Sequence, residues 1–319
     1  MKRLICGLLA LVMVLSLAAC GKSPAPDATP DDTPAPDATP EYFMVGEGVY
    51  RLEKELDEKS IDRAIGKFKT FAEDYCGDSA RVFLALIPSK NGYLNSSNGH
   101  LNEAELAILQ SVADKWGSNF IDLSVCLTLE DYYRTDPHWR QEHLGFVLRE
   151  LGAALEFETD IIAEDAPLMG NWTEEVLTTE YIGVYGDEVD GVPAEEMTVL
   201  HHPDMDGYIV RNGETGAEMP LYDTAKLTER DPYELFVGGP LSLVTIENAA
   251  ADNDRHLVVV RDSFGSALLP MLAQSYAKVT AVDIRYMMPN LVGNFVDFTD
   301  ADVLFLYSST VLNNSITLK

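Results

Sequence analysis

The sequence predicts an α/β fold built on a largely parallel β-sheet covered by helices on both faces. Three observations carry this expectation. The apolar runs RVFLALIP (81–88), HLVVV (256–260) and DVLFLY (302–307) are nearly continuous, as strands buried on both faces are. Other segments place apolar residues at spacings of three and four, the pattern of helices with one side on a core. Strands and helices also alternate along the chain, which favours crossover connections and parallel neighbours.

The elements follow in order. Lys2 and Arg3 precede Leu4–Ala19, a 16-residue apolar run that is short for a spanning helix and suited to a secretory h-region. The run ends in Leu17-Ala18-Ala19-Cys20-Gly21, which resembles the lipobox of bacterial lipoproteins. That resemblance implies cleavage before Cys20, lipidation of its sulfur, and a protein anchored to the cell membrane with its body on the extracytoplasmic side. Ordinary secretion with an incidental cysteine is the competing reading. Residues 1–19 are therefore expected to be a signal peptide, and 20–41 a lipidated cysteine followed by a stalk. The stalk sequence SPAPDATPDDTPAPDATP (23–40) repeats PAPDATP and offers almost nothing to bury, which predicts an extended, disordered segment. Residues 42–319 are enough for one large domain.

In that domain, Ile61, Ala64, Ile65, Phe68 and Phe71 predict a helix from Ser60 to Tyr75. Arg81–Pro88 predicts a buried strand, Leu101–Trp116 an amphipathic helix, Phe120–Val125 a short strand, and Gln141–Phe157 a helix. Residues 180–245 change character. Runs of Tyr, Val and Thr are broken by GDEVDG, HPDMDG and NGETG, which predicts a β-rich insertion of hairpins. Strand, helix, strand and strand then return at His256–Val260, Ser266–Tyr276, Val279–Arg285 and Asp302–Tyr307.

The formal charge is −29, and loss of Lys2 and Arg3 with the signal makes it two units more negative. This argues against a nucleic-acid partner and against lying flat on an anionic membrane. A polysaccharide partner stays open, because neutral sugars are read by hydrogen bonds and aromatic faces. Beyond Cys20, Cys76 and Cys126 either pair or stand as two buried thiols. No CxxC or CxxH spacing suggests a metal, and no cofactor is implied. His201, His202, Asp204 and Asp206 read as a solvated turn before a metal site.

Two short stretches carry chemistry. In HLVVVRDSFGS a buried strand runs into Ser263 at its carboxyl end, with a helix following. Open α/β sheets bind ligands there, and a helix start offers backbone N–H groups to a developing oxyanion. Gly265 would let substrate approach the backbone closely. Capping of the helix by Asp262 and Ser263 is the plainer reading. In YYRTDPHWRQEHL (132–144), Asp136 and His138 flank Pro137. Together the stretches suggest a relay: Ser263 attacks, His138 takes its proton, and Asp136 orients the imidazole. His138 is expected just before a helix, where the dipole disfavours imidazolium.

The Asp-x-His-Trp segment, followed far downstream by a strand ending in Asp-Ser-Phe-Gly, resembles the bacterial DHHW family, related to SGNH-hydrolase-like proteins that O-acetylate alginate. IPSKNGYL (87–94), DPYELFVGG (231–239), RDSFGSALLP (261–270), VTAVDIRY (279–286) and DVLFLYSSTVLNNS (302–315) look like family segments. The resemblance implies an SGNH-hydrolase-like sandwich whose triad order is permuted, with serine last, and it matches Asp136, His138 and Ser263 to the triad. Pro137 stands where the family name has its first histidine, and Arg261 where a glycine usually precedes Asp-Ser, so Arg261 is expected to narrow the approach to Ser263. Asn313 and Asn314 are the oxyanion candidates, with a polar loop end as the alternative. Arg134 and Lys90 are candidates for substrate contact or structural ion pairing. Tyr307 and Tyr133 are candidates for sugar stacking or packing, and Trp139 reads as core.

The function expected is an esterase or O-acetyltransferase acting on a cell-surface glycan through an acyl-serine, with a membrane acyl-donor protein as a possible partner. The alternative is a non-catalytic surface lipoprotein that keeps the fold and binds glycan or protein. A solute-binding lipoprotein is a weaker third reading, since no two-lobed repeat is visible.

Overall fold

A computed structural model describes residues 41–77, 80–94, 100–159 and 170–319. The expected signal peptide, the lipidated Cys20 and the stalk up to residue 40 lie outside the described residues.

The described chain opens with an antiparallel hairpin, β1 (Tyr42–Val45) and β2 (Gly48–Arg51). Helix α1 (Glu58–Tyr75) starts two residues before the periodicity predicts, because the Asp57 carboxylate accepts the backbone N–H groups of Lys59 and Ser60. Strand β3 (Arg81–Ile87) is followed by α2 (Glu103–Trp116), capped by Asn102, and by β4 (Phe120–Asp122). Helix α3 (Gly145–Leu155) begins later than predicted. Gln141 sits in a preceding 3-10 turn, and its amide bridges Ala267 O and Leu200 N instead of facing a helix surface. Then come β5 (Thr173–Tyr181), β6 (Glu195–His201), β7 (Tyr208–Asn212), β8 (Leu243–Asn248), β9 (His256–Arg261), α4 (Gly265–Leu272), β10 (Lys278–Val282), β11 (Asp302–Ser308) and α5 (Ser309–Leu312).

The main sheet has the order β4-β3-β11-β9-β10-β8-β7. The first five strands are parallel, while β8 and β7 are antiparallel at one edge. The β-rich insertion differs from expectation in its limits. Its first part is the separate hairpin β5–β6, which starts at Thr173, whereas β7 and β8 extend the main sheet rather than standing apart from it.

The alternation of a strand sends side chains to two cores. Leu84, Leu86, Val258, Val260, Val303 and Phe305 pack with α1 and α2 on one face. Phe83, Ala85, Ile87, Leu257, Val259, Leu304 and Leu306 pack with α3, α4 and β6 on the other. Both faces being dry, the strands need no polar alternation. Phe68 of α1 stacks on Phe305 with ring centroids 4.6 Å apart, an aromatic contact worth about 1 kcal/mol beyond burial. Cys76 and Cys126 are free thiols, pushed up to about 11 and about 12 by burial.

This strand order has one consequence for chemistry. The neighbours β3, β11 and β9 run parallel, so the segments after Ile87, Ser308 and Arg261 emerge side by side at one sheet end.

Candidate active site

Ser263 stands on the turn between β9 and α4. The turn is held from below by Asp262, which is fully buried. One carboxylate oxygen of Asp262 accepts from the Ser308 N–H at 2.8 Å and the Ser308 hydroxyl at 2.7 Å, and the other accepts from the Phe264 N–H at 3.1 Å. Asp262 is therefore a structural acid that pins the turn to the end of β11.

Asp136 and His138 come from a tight reversal. Tyr132 pairs with Trp139 across it, the Tyr133 N–H donates to His138 O at 3.0 Å, and Pro137 lies at the bend. Two buried charges hold this loop. The Lys90 ammonium, delivered by the segment after β3, donates to the carbonyls of Tyr133, Arg134 and Asp136 at 3.1, 3.1 and 2.8 Å. Burial lowers its pKa to about 8, which still leaves it mostly charged at neutral pH. From β6, the Glu195 carboxylate accepts from the backbone N–H groups of Arg134 and Thr135, the Thr135 hydroxyl and the Arg140 guanidinium, at 2.7–3.0 Å.

The three expected residues meet. Asp136 Oδ1 lies 2.6 Å from His138 Nδ1, and His138 Nε2 lies 2.8 Å from Ser263 Oγ. Asp136 Oδ1 also accepts the His138 N–H at 2.9 Å, and Oδ2 accepts the Val184 N–H at 3.1 Å. Burial pushes the Asp136 pKa up, but the His138 ring and these donors outweigh it and hold the carboxyl below its ordinary range. An ionised Asp136 on Nδ1 leaves Nε2 as the lone-pair nitrogen facing the serine hydroxyl. The imidazole is enclosed by rings. Tyr233 stacks on it at 3.9 Å with planes 6° apart, and Phe264 lies at 4.6 Å. Trp139 is core, as read from sequence, and its indole N–H also holds Phe264 O at 2.9 Å.

Several sequence candidates are corrected. Lys90 spends its protons on the loop that carries Asp136 and His138 and is a positioning residue. Tyr307 is fully buried against Phe68, at 4.8 Å, in the α1-side core. Asn313 accepts the Asp57 N–H at 2.7 Å and donates to Lys54 O and Glu55 O, so it anchors the entry to α1. Asn314 is exposed and lines a different cavity from those at Ser263. Neither asparagine serves an oxyanion. At Gly265 the closest neighbour is not substrate but the buried Arg261 side chain, which a Cβ would meet at 3.0 Å. Arg261 therefore lies under the turn and does not narrow the approach to Ser263. Its Nη1 donates to Asp262 O at 3.2 Å, while Nε and Nη2 have no partner among the described residues.

The helix-start N–H groups are also mostly spent: those of Phe264 and Gly265 on Asp262, and that of Ser266 on Ser263 O. The Ser263 N–H has no acceptor among the described residues. The helix after His138 opens as the 3-10 turn Gln141–His143, and because α3 begins only at Gly145, no α-helix N-terminus lies at His138.

Arg134 pairs with Glu47 and is structural. Tyr133 is buried, edge-on to Tyr181 at 4.7 Å. His201 pairs with Glu175 at 2.6 Å, and His202 accepts the Asp204 N–H at 3.2 Å. Among the described residues no His, Cys, Asp and Glu cluster could hold a metal ion.

Glu195, Asp231 and Tyr233 were not singled out by sequence reasoning. The last two lie in the DPYELFVGG block, whose Asp-Pro start was the available signal.

No protein-family model and no curated protein matches the sequence. Among solved structures, a DHHW family protein from Eubacterium siraeum is 19% identical, with a TM-score of 0.64 over 86% of this chain and 93% of that one. Bacillus cereus PatB1, in a structure with a sulfonyl adduct, is 18% identical, with a TM-score of 0.64 over 85% of this chain and 97% of that one. This chain shares their fold. That fold is the α/β sandwich on a mostly parallel sheet that the sequence predicted, with Asp136 and His138 preceding Ser263 in chain order.

Proposed function

We propose that the protein is a lipid-anchored, extracytoplasmic O-acyltransferase or esterase, of acetyl groups in the first instance, acting on a cell-surface glycan through an acyl-Ser263 intermediate. The observation that carries the reading is the unbroken chain Asp136–His138–Ser263, with contacts of 2.6 and 2.8 Å at a concave site.

Ser263 Oγ attacks the carbonyl carbon of an acyl ester while its proton passes to His138 Nε2. The tetrahedral adduct, its oxyanion facing the Ser263 N–H, collapses. The C–O bond to the donor alcohol breaks, and that oxygen takes the proton from His138. A sugar hydroxyl or water then attacks the acyl-serine, gives its proton to Nε2, and Ser263 leaves and recovers it. Asp136 stabilises the imidazolium in both halves. A membrane protein that presents the acyl group is the partner such a surface enzyme requires, and Cys20 is the anchor that keeps the two on one membrane.

The test is hydrolysis of p-nitrophenyl acetate by the chain and by Ser263→Ala and His138→Ala. Each variant should lose activity by about three orders of magnitude or more while remaining folded. A sulfonyl fluoride should label the wild type at Ser263 and leave Ser263→Ala unlabelled. Full esterase activity in both alanine variants overturns the reading and leaves a non-catalytic surface protein.

A further inference from the structure

Two cavities open onto the nucleophile, and among the described residues they share only His138 and Ser263. One lies toward Glu53, Lys90 and Tyr185. Its charged groups are already engaged: Glu53 accepts the Ser89 and Thr310 hydroxyls, and Lys90 serves the catalytic loop. The other is lined by Asp231, Glu234, Arg285 and Tyr286 among others. There the groups are less satisfied. Asp231 Oδ1 is buried with no hydrogen-bond partner among the described residues. The Arg285 charge is neutralised by Asp283, which takes its Nη2 at 2.7 Å and its Nε at 3.0 Å. The Tyr286 ring is 55% exposed at the rim.

We propose that this second cavity is the acyl-acceptor subsite, that it takes a sugar bearing no carboxylate, and that Asp231 receives one of that sugar's hydroxyl or ammonium donors. The proposal rests on the acyl-serine reading above. Its physical basis is complementarity of need. A buried carboxylate oxygen without a donor is costly, and a ligand donor removes the cost. A uronate would instead bring a third carboxylate beside Asp231 and Glu234, inside a chain of formal charge −29. The exposed tyrosine offers an apolar face to a sugar ring. Burial, with Asp136 and Glu234 nearby, already raises the Asp231 pKa to about 6, so an added anion meets an environment that resists negative charge. The first cavity, with its polar groups satisfied internally, suits the small uncharged acyl group.

The experiment uses p-nitrophenyl acetate as donor with the full chain and follows three quantities: the p-nitrophenol burst, hydrolysis, and acetyl transfer by mass spectrometry. The acceptors are cellotetraose, a glucosamine tetramer and tetragalacturonate. The wild type should transfer to the first two at least about tenfold better than to the uronate. Asp231→Asn should lower the ratio of transfer to hydrolysis for those two by about ten- to a hundredfold, the worth of one charge-assisted hydrogen bond, and should narrow the preference over the uronate. A purely structural role would slow all acceptors alike and leave the preference unchanged. Equal transfer to tetragalacturonate by the wild type, or an unchanged preference in Asp231→Asn, overturns the subsite assignment while the burst keeps the acyl-serine reading. Absence of a burst overturns both.

Discussion

At the residue scale, Gly183 shows how little space the relay leaves. A Cβ on Gly183 would lie 2.4 Å from Asp136 Cβ and 2.5 Å from its Oδ2, well inside any tolerated contact. Gly183→Ala must therefore move the carboxylate off His138 Nδ1. Because the effect passes through Asp136, the expected signature is a fall of about a hundredfold in kcat with little change in KM. Steady-state kinetics on p-nitrophenyl acetate checks this, and wild-type kcat in the variant would mean that Asp136 does not orient the base. The same scale explains the departures from the family pattern. Pro137 makes the bend that lets Asp136 and His138 face each other from one loop. Arg261 is tolerated because Gly265 has no Cβ to obstruct its buried side chain.

At the scale of elements, the loop that carries Asp136 and His138 is a short reversal with no sheet of its own, and charges from two neighbours hold it. Glu195 on β6 takes four donors from residues 134, 135 and 140. Glu195→Ala leaves buried N–H groups and Arg140 unpaired, so it should cost about 2–4 kcal/mol of stability and lower kcat more than it raises KM. Urea denaturation beside kinetics tests this; an unaffected midpoint would mean that the loop is held without Glu195. A second tie joins the end of β3 to α2, where the Ser89 N–H donates to the Glu105 carboxylate at 3.0 Å. Burial raises the Glu105 pKa to about 7. The native state then binds more protons than the unfolded chain between the ordinary carboxylate pKa and about 7. This group's contribution is fully present at low pH and is lost as pH rises through 7, amounting to at most about 3 kcal/mol. Glu105→Gln keeps an acceptor for Ser89 but cannot ionise. It should be more stable than the wild type at pH 8 and close to it at pH 5, by chemical denaturation at both pH values. Equal stability differences at both would rule out a buried ionisation at this position.

At the scale of the whole molecule, the sheet order decides which strand ends share the candidate site. With β3, β11 and β9 adjacent and parallel, Lys90, Ser308 and Ser263 reach one end, and the loop carrying His138 closes over it. Attachment is a property of the intact chain. If Cys20 carries the lipid, Cys20→Ala should move the protein from the membrane fraction to the soluble one. Its retention in the membrane fraction would refute the lipoprotein reading.

The sequence by itself determined what depends on neighbours in the chain. The dry sheet is legible in RVFLALI, whose odd and even residues feed two cores. The helices were legible in their apolar spacing, whereas their starts at Asp57 and Asn102 emerged only with the structure; the Asp136–His138 pairing was legible in a two-residue spacing across a proline. That Asp136, His138 and Ser263 would meet was legible because two local motifs and a family resemblance pointed to the same place, although His138 and Ser263 are 125 residues apart. Tertiary structure alone decided the roles of single polar side chains. Lys90, Asn313 and Tyr307 are polar or aromatic residues near strand ends, as ligand-binding residues are, and nothing local distinguishes them from such residues. Their partners lie in other segments: three loop carbonyls for Lys90, the α1 entry for Asn313, and Phe68 for Tyr307. The same holds for Glu195, Tyr233 and Asp231, whose roles exist only once β6 and the 231–240 segment pack against the His138 loop. Periodicity reports whether a side chain is buried, whereas the partner of a buried polar group is set by which distant segment the fold brings within hydrogen-bond reach.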